Sequence, residues 1–217
     1  MAKILSLLTQ PTWQTVYMVG VSSLLAFIMG LPLGIALVLT QKGGLCENRA
    51  VGRVLDAVVN VLRSFPFIIL MIILFPLSRF LVGTTIGTTA AIVPLSISAA
   101  PFVARVVQTA LEEVDRGVVE AAQSMGADVK TIVFKVLIPE ALPALVSGAT
   151  LTVIAIVGSS AMAGAIGGGG LGDVAIRFGH QRFRSDVLLA SCVVIIALVQ
   201  FIQWAGNVIV RALSRNR

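Results

Sequence analysis

The sequence predicts an all-α integral membrane protein that crosses the bilayer about five times. Three observations predict it. Hydrophobic residues make up 57% of the 217 residues and charged residues only 12%. A soluble domain carries about a quarter charged residues, so the apolar excess here must face lipid. The charges are gathered in short stretches between uncharged runs. Most of those runs reach the roughly 20 residues that cross a hydrocarbon core of about 30 Å, where a helix satisfies its own backbone polar groups.

The first run, Ile4–Gln41, holds no charge and contains a span over about Thr15–Thr40. A secretory signal has an apolar stretch of about 7–15 residues and a small-residue cleavage site. This run is much longer and has no clear site, so it is read as a retained span. Polar Gln41–Leu62 follows, with Lys42, Arg49 and Arg53. Ser64–Ser78 is only 15 residues long. It spans if its helix starts earlier, near Leu55, with Arg63 snorkelling to the interface. Leu81–Ala104 is uncharged for 24 residues, Ala141–Gly172 for 32 and Val187–Val210 for 24. Pro32, Pro66, Pro76, Pro94 and Pro101 interrupt these runs, and such breaks are tolerated where protein or a cavity satisfies the freed carbonyl. Residues 1–217 read as one membrane domain.

Orientation follows from the basic residues. With five spans, one side holds Lys42, Arg49, Arg53, Arg63, Arg105, Arg116, Lys130, Lys135, Arg211, Arg215 and Arg217. The other holds Lys3, Arg79, Arg177, Arg182 and Arg184. The positive-inside rule makes the first side cytoplasmic, with the N-terminus outside and the C-terminus inside. The formal net charge of +6 is thereby accounted for by topology and membrane lipid, with no call for nucleic acid. Cys46 and Cys192 lie in a polar loop and an apolar run and carry no redox or metal signal.

The segment between the third and fourth spans, residues 111–142, is the most informative. Six of the ten acidic residues lie between Glu112 and Glu140. Val118–Met125 has good helix formers and small alanines, and Gly126 follows where a helix can end with positive φ. Thr131–Leu137 reads as another short helix, and Pro139 and Pro143 restart the chain into the fourth span. This is a helix–turn–helix outside the membrane. Ala121 and Ala122 let another surface approach the backbone, and Glu120 can accept from an amide or a basic partner. Taken without its spacing, such a loop would be a solvated linker.

The spacing is Glu-Ala-Ala, three residues, Gly, nine residues, then apolar-x-apolar-Pro: Glu120, Ala121, Ala122, Gly126, Val136, Ile138 and Pro139. It resembles the signature loop of permease subunits in binding-protein-dependent ABC importers. Val136 and Ile138 stand where the family usually has Ile and Leu, which keeps size and polarity. Three further stretches are similar to the methionine-importer permeases: Arg63–Leu70, Ala99–Arg105 and Lys135–Pro143. The glycine-rich Gly167–Gly172 fits too. The resemblance implies a type I ABC importer permease fold in the bacterial inner membrane, with the loop as a coupling helix. It implies two copies of an ATP-binding subunit, which would hold ATP and magnesium. It also implies a second copy of this chain and an extracytoplasmic substrate-binding protein. The implied cargo is an amino acid, methionine by overall likeness, moved by alternating access.

The chain has no ATPase site of its own. A phosphate loop needs Gly, four residues, Gly, then Lys and Ser or Thr. Gly167–Gly172 is followed by Asp173 instead. Along the fourth span, Ser159, Ser160 and Met162 sit among small residues. These suit close helix packing, or a pathway with Met162 as a flexible apolar plug. Asp173–Asp186 forms an outer segment with Arg177, His180, Arg182 and Arg184, read as an interfacial loop or a binding-protein contact. A permease for another small amino acid or solute remains open. An ion-coupled transporter would place ionisable groups inside its spans, and the four clear spans hold no Asp, Glu or Lys. A serine hydrolase needs Gly-x-Ser-x-Gly, and Gly158-Ser159-Ser160-Ala161-Met162 lacks the last glycine.

Overall fold

A computed structural model describes residues 2–214, with side-chain environments from Ser6 onward. Arg215, Arg217 and the side chain of Lys3, all used above for orientation, lie outside the described residues. Every regular element described is a helix: α1 (Ala2–Thr40), α2 (Arg49–Ser64), α3 (Phe67–Ile73), α4 (Phe75–Val82), α5 (Thr88–Glu112), α6 (Arg116–Ser124), α7 (Val129–Ile132), α8 (Ile138–Ala163), α9 (Gly170–Val174) and α10 (Ser185–Ser214). Among the described residues four helices are long and apolar enough to cross a membrane, and a bent pair is long and apolar enough for a fifth if the two halves form one span.

The bent pair is α2 and α3, which meet at 103°. Its cause is local. Phe65 precedes Pro66 and takes an extended conformation, φ −70° and ψ 127°, because the proline ring disfavours the helical region for the residue before it. The segment read as the second crossing is therefore an amphipathic helix started by the Asn48 side chain, then a break, then α3. A single helix starting near Leu55 does not describe it. α2 begins at Arg49, inside the stretch read as polar linker. The first helix is also longer than the sequence suggested, with 39 residues.

The core is built around the pairing of α1 with α5. Gly30 and Gly34 stand one turn apart on α1. A Cβ at Gly30 would lie 2.5 Å from Val103 Cβ, and one at Gly34 would lie 2.6 Å from Val107 Cβ. Without side chains at these two positions the backbones close to contact, which in lipid is the main source of helix–helix attraction. Leu95, Val103 and Val107 of α5 are buried in the same cluster as Met18 and Ala26 of α1 and Ile156 and Val157 of α8.

Two polar clasps tie distant elements together. Arg105 of α5 pairs with Asp56 of α2 and donates to Asn60 at 2.8 Å and to Gln108 at 2.7 Å. The interfacial anchor read from the sequence is thus also the tie that holds α2 against α5. At the other end of the bundle, Gln14 and Thr15 of α1 accept from the backbone N–H groups of Gly170 and Leu171. α8 ends at Ala163, and the chain kinks through Gly164–Gly168 into α9. The outer segment continues as α9 and a wide turn, Ala175–His180. Asp173 pairs with Arg177 at 2.7 Å, and the guanidinium groups of Arg177 and Arg182 stack near Phe178. The cysteines are free and exposed.

Candidate functional site

Two regions collect the residues singled out by the sequence. The first is α6, outside the long helices. Asp115 starts it by accepting from Gly117 N at 2.6 Å, which satisfies a first-turn donor. Its end is a Schellman turn. Gly126 has φ +81°, Ala127 N donates to Ala122 O and Gly126 N donates to Gln123 O. Glycine adopts this left-handed conformation without the strain that a Cβ brings. Asp128 then caps α7, accepting from Thr131 N at 3.2 Å. Hydrogen bonding from the Thr131 side chain, and second from its backbone N–H, holds the Asp128 carboxyl below the usual carboxylate range.

α7 feeds a wide turn, Val133–Leu137, that passes directly into α8. Pro139 has no N–H for the Lys135 carbonyl, and its ring would strike that carbonyl in a regular helix. The wide turn, closed by Ile138 N onto Val133 O, makes the room. α6, α7 and the foot of α8 are thus one rigid piece.

This piece has two faces. Ala122 is 5% exposed and packs in the core cluster with Leu111, Ile132, Val133 and Leu137. Val136 and Ile138 pack against that cluster half-buried. The open face carries Glu120 and Ala121, with Val118, Phe134 and Met125, the last 82% exposed. The signature residues therefore separate. Of the two signature alanines, Ala121 lies on the open face, while Ala122, Val136 and Ile138 fasten the piece to the bundle. The Glu120 carboxylate makes no hydrogen bond among the described residues. It lines a groove between α6 and Gln41–Leu45 that also holds Lys42, Arg116 and Glu112.

The second region is the open stripe of α8. Leu151, Ala155, Gly158 and Met162 are all exposed, at the spacing of one helix face. Met162, 49% exposed, stands at its outer end. Ser159 is half-buried beside the stripe. Ser160 faces away from it: it is 2% exposed and donates to Val157 O at 2.7 Å. Ser160 and Met162 lie two positions apart on α8 and so point to nearly opposite faces, about 200° around the helix.

Between the α2–α3 break, α5 and α8 lies a cavity of about 270 Å³ lined by Arg63, Phe65, Phe67, Phe102, Thr152 and Ser159 among others. Sequence reading treated Arg63 as an anchor and missed this cavity. Its signal was present in the run Arg63–Phe67, which places a charge and two aromatics around a proline.

Comparison with known proteins agrees with this arrangement. Residues 30–216 match the family described as binding-protein-dependent transport system inner membrane component. The probable D-methionine transport system permease protein MetI of Vibrio cholerae is 53% identical over 210 residues, covering 97% of this chain and 93% of that one. The methionine import system permease protein MetP of Bacillus subtilis is 51% identical over 205 residues, covering 94% and 92%. Among solved structures, an inward-facing conformation of the MetNI methionine ABC transporter in its native crystal form superposes with a TM-score of 0.96. It is 46% identical and covers 98% of this chain and 99% of that one.

Proposed function

The chain belongs to the family of inner membrane components of binding-protein-dependent transport systems, and from that premise we propose that it is the permease subunit of an ATP-driven methionine importer. It is a multi-pass inner-membrane protein, and ATP hydrolysis belongs to a separate subunit. The observation that carries the mechanical part is the two-faced piece formed by α6, α7 and the foot of α8. Its open face offers Glu120, Ala121 and Met125 to a partner, and its buried face is packed onto α5 and α8 through Ala122 and Leu137.

In this reading α6 seats in a groove of an ATP-binding subunit, two copies of which hold ATP and magnesium. Their closure moves α6. Because α6 is rigidly joined to α8, the motion tilts α8 and re-aims its open stripe. Interiors are packed too densely to absorb such a displacement locally. A second copy of this chain completes the pathway across the stripe, with Met162 from each copy as the plug. An extracytoplasmic binding protein delivers the cargo on the side of Gly167–Asp186. The N-terminus lies outside and the C-terminus in the cytoplasm, consistent with the excess of Lys and Arg flanking α2, α5 and α6.

The test is to co-express the chain with its ATP-binding subunit, reconstitute the complex in liposomes with the substrate-binding protein on the extracytoplasmic side, and measure ATP-dependent methionine uptake. Uptake is expected in the native complex and is expected to collapse in Glu120 and Gly126 variants. If no ATPase copurifies and uptake survives both changes, the reading fails.

A further inference from the structure

We propose that Arg63 is the carboxylate-binding residue of a transient substrate site inside the transmembrane cavity, a reading that rests on the importer function above. Ionisable groups within the helices of a membrane bundle are rare and mark pathways where they face a cavity. The two arginines near the α2–α5 contact differ in this respect. Arg105 is held by Asp56, Asn60 and Gln108. Arg63 has no hydrogen bond or ion pair among the described residues, and no acidic residue lines its cavity.

The position is that of a site rather than an anchor. Arg63 closes α2 just before the 103° break, and its cavity reaches the middle of α8 at Thr152 and Ser159. Ser159 lies one turn from Met162, about 5 Å along the helix axis. The cavity therefore sits immediately below the proposed plug. The break itself exposes the site, because Pro66 turns the chain and places Phe65 and Phe67 on the cavity wall beside Phe102.

The chemistry fits a zwitterionic apolar amino acid. The guanidinium takes a carboxylate through two parallel N–H donors. The three phenylalanines take a thioether side chain, which packs well against ring edges. The half-buried Ser159 hydroxyl can accept from the ammonium. A single cationic hold of this kind is strong enough to orient cargo released by a binding protein and weak enough to let it leave inward.

The experiment uses the reconstituted complex in a background with Cys46→Ser and Cys192→Ser, carrying Ala155→Cys, on the cavity wall, as a labelling target. Methionine is expected to slow thiol labelling at position 155, and methioninol, which lacks the carboxylate, is not. With Arg63→Gln the protection by methionine is expected to vanish. Uptake per assembled complex is expected to fall about 10- to 100-fold, the range for losing a hydrogen bond to a charged group. Arg63→Lys should recover only part of it, since the bidentate geometry is lost. Equal protection by methionine and methioninol overturns the site. So does Arg63→Gln uptake equal to native per complex, with only the amount of inserted protein reduced, which would make Arg63 an interfacial anchor. A native complex that moves no methionine overturns the importer function instead, and the site with it.

Discussion

The side-chain oxygen of Thr15 accepts a hydrogen bond from the backbone N–H of Leu171 at 2.9 Å, across 156 residues of sequence. Leu171 is fully buried, so this donor has no water to turn to. Gln14 does the same for Gly170 at 3.0 Å. The pair locks the outer turn after α8 onto α1. Thr15→Val keeps the shape and strands the donor, at about 1–3 kcal/mol. The purified complex should show a lower thermal midpoint than native, and Thr15→Ser should restore it. An unchanged midpoint for Thr15→Val would mean that the clasp contributes little.

Gly126 is held at φ +81°, where a Cβ costs roughly 1–2 kcal/mol. Gly126→Ala should loosen the turn that joins α6 to α7 and weaken transmission from the ATPase. Uptake should drop while ATP hydrolysis by the assembled complex persists. Gly126→Asn, which tolerates the left-handed region, should lie between the two. Equal loss of hydrolysis and uptake would point to failed assembly rather than lost coupling.

Gly34 and Gly20 lie on the same helix and differ in surroundings. A side chain at Gly34 meets Ala104 O and Val107 Cβ within 2.6 Å, whereas nothing stands within 4 Å of a Cβ at Gly20. Gly34→Leu should push α1 off α5 and abolish monodisperse protein in detergent. Gly20→Ala should be harmless or stabilise by up to about 1 kcal/mol through helix propensity. Comparing the elution profiles of the two variants checks this.

Met162 and Ser160 make opposite predictions for crosslinking. In the cysteine-free background, Met162→Cys should form a disulfide between two copies in the nucleotide-free complex and lose it when ATP closure is trapped. Ser160→Cys should not crosslink in either state, because its side chain faces the bundle core. A Met162→Cys chain that never crosslinks would remove the plug.

Asp128 carries a pH-dependent cap. Its carboxyl is held below the usual range by hydrogen bonds from the Thr131 side chain and then its backbone N–H, so its contribution is present at neutral pH. It is lost as pH falls below about 4 and through the depressed folded value. Hydrogen exchange in α7 should accelerate over that interval, and Asp128→Asn, which keeps a cap without titrating, should show no such change.

How much of this was legible in advance depended on the range of the interaction. Ile4–Gln41, Leu81–Ala104 and Val187–Val210 were readable as spans because transfer to lipid is decided segment by segment. Val118–Met125 was readable as a short helix ended at Gly126 because a helix stop acts within a few residues, and the structure adds the Asp115 and Asp128 caps. The Pro66 break needed only a neighbour effect, yet its consequence was missed, since a 103° turn is visible only when both helices have partners. Gly30 and Gly34 carried a close-packing signal in their spacing, but which helix they meet was not in it.

The sequence by itself determined an all-helical membrane bundle with four to five candidate spans, its family and the short helix that Gly126 ends, because hydropathy, helix stops and motif spacing are local properties of the chain. Only the tertiary structure decided which faces those elements turn. It buried Ala122 and Ser160, left Ala121 and Met162 open, paired Arg105 with Asp56, and left Arg63 unpaired at a cavity. The physical reason is that burial and partner choice arise where residues far apart in sequence are packed together, and no local pattern records which ones will meet.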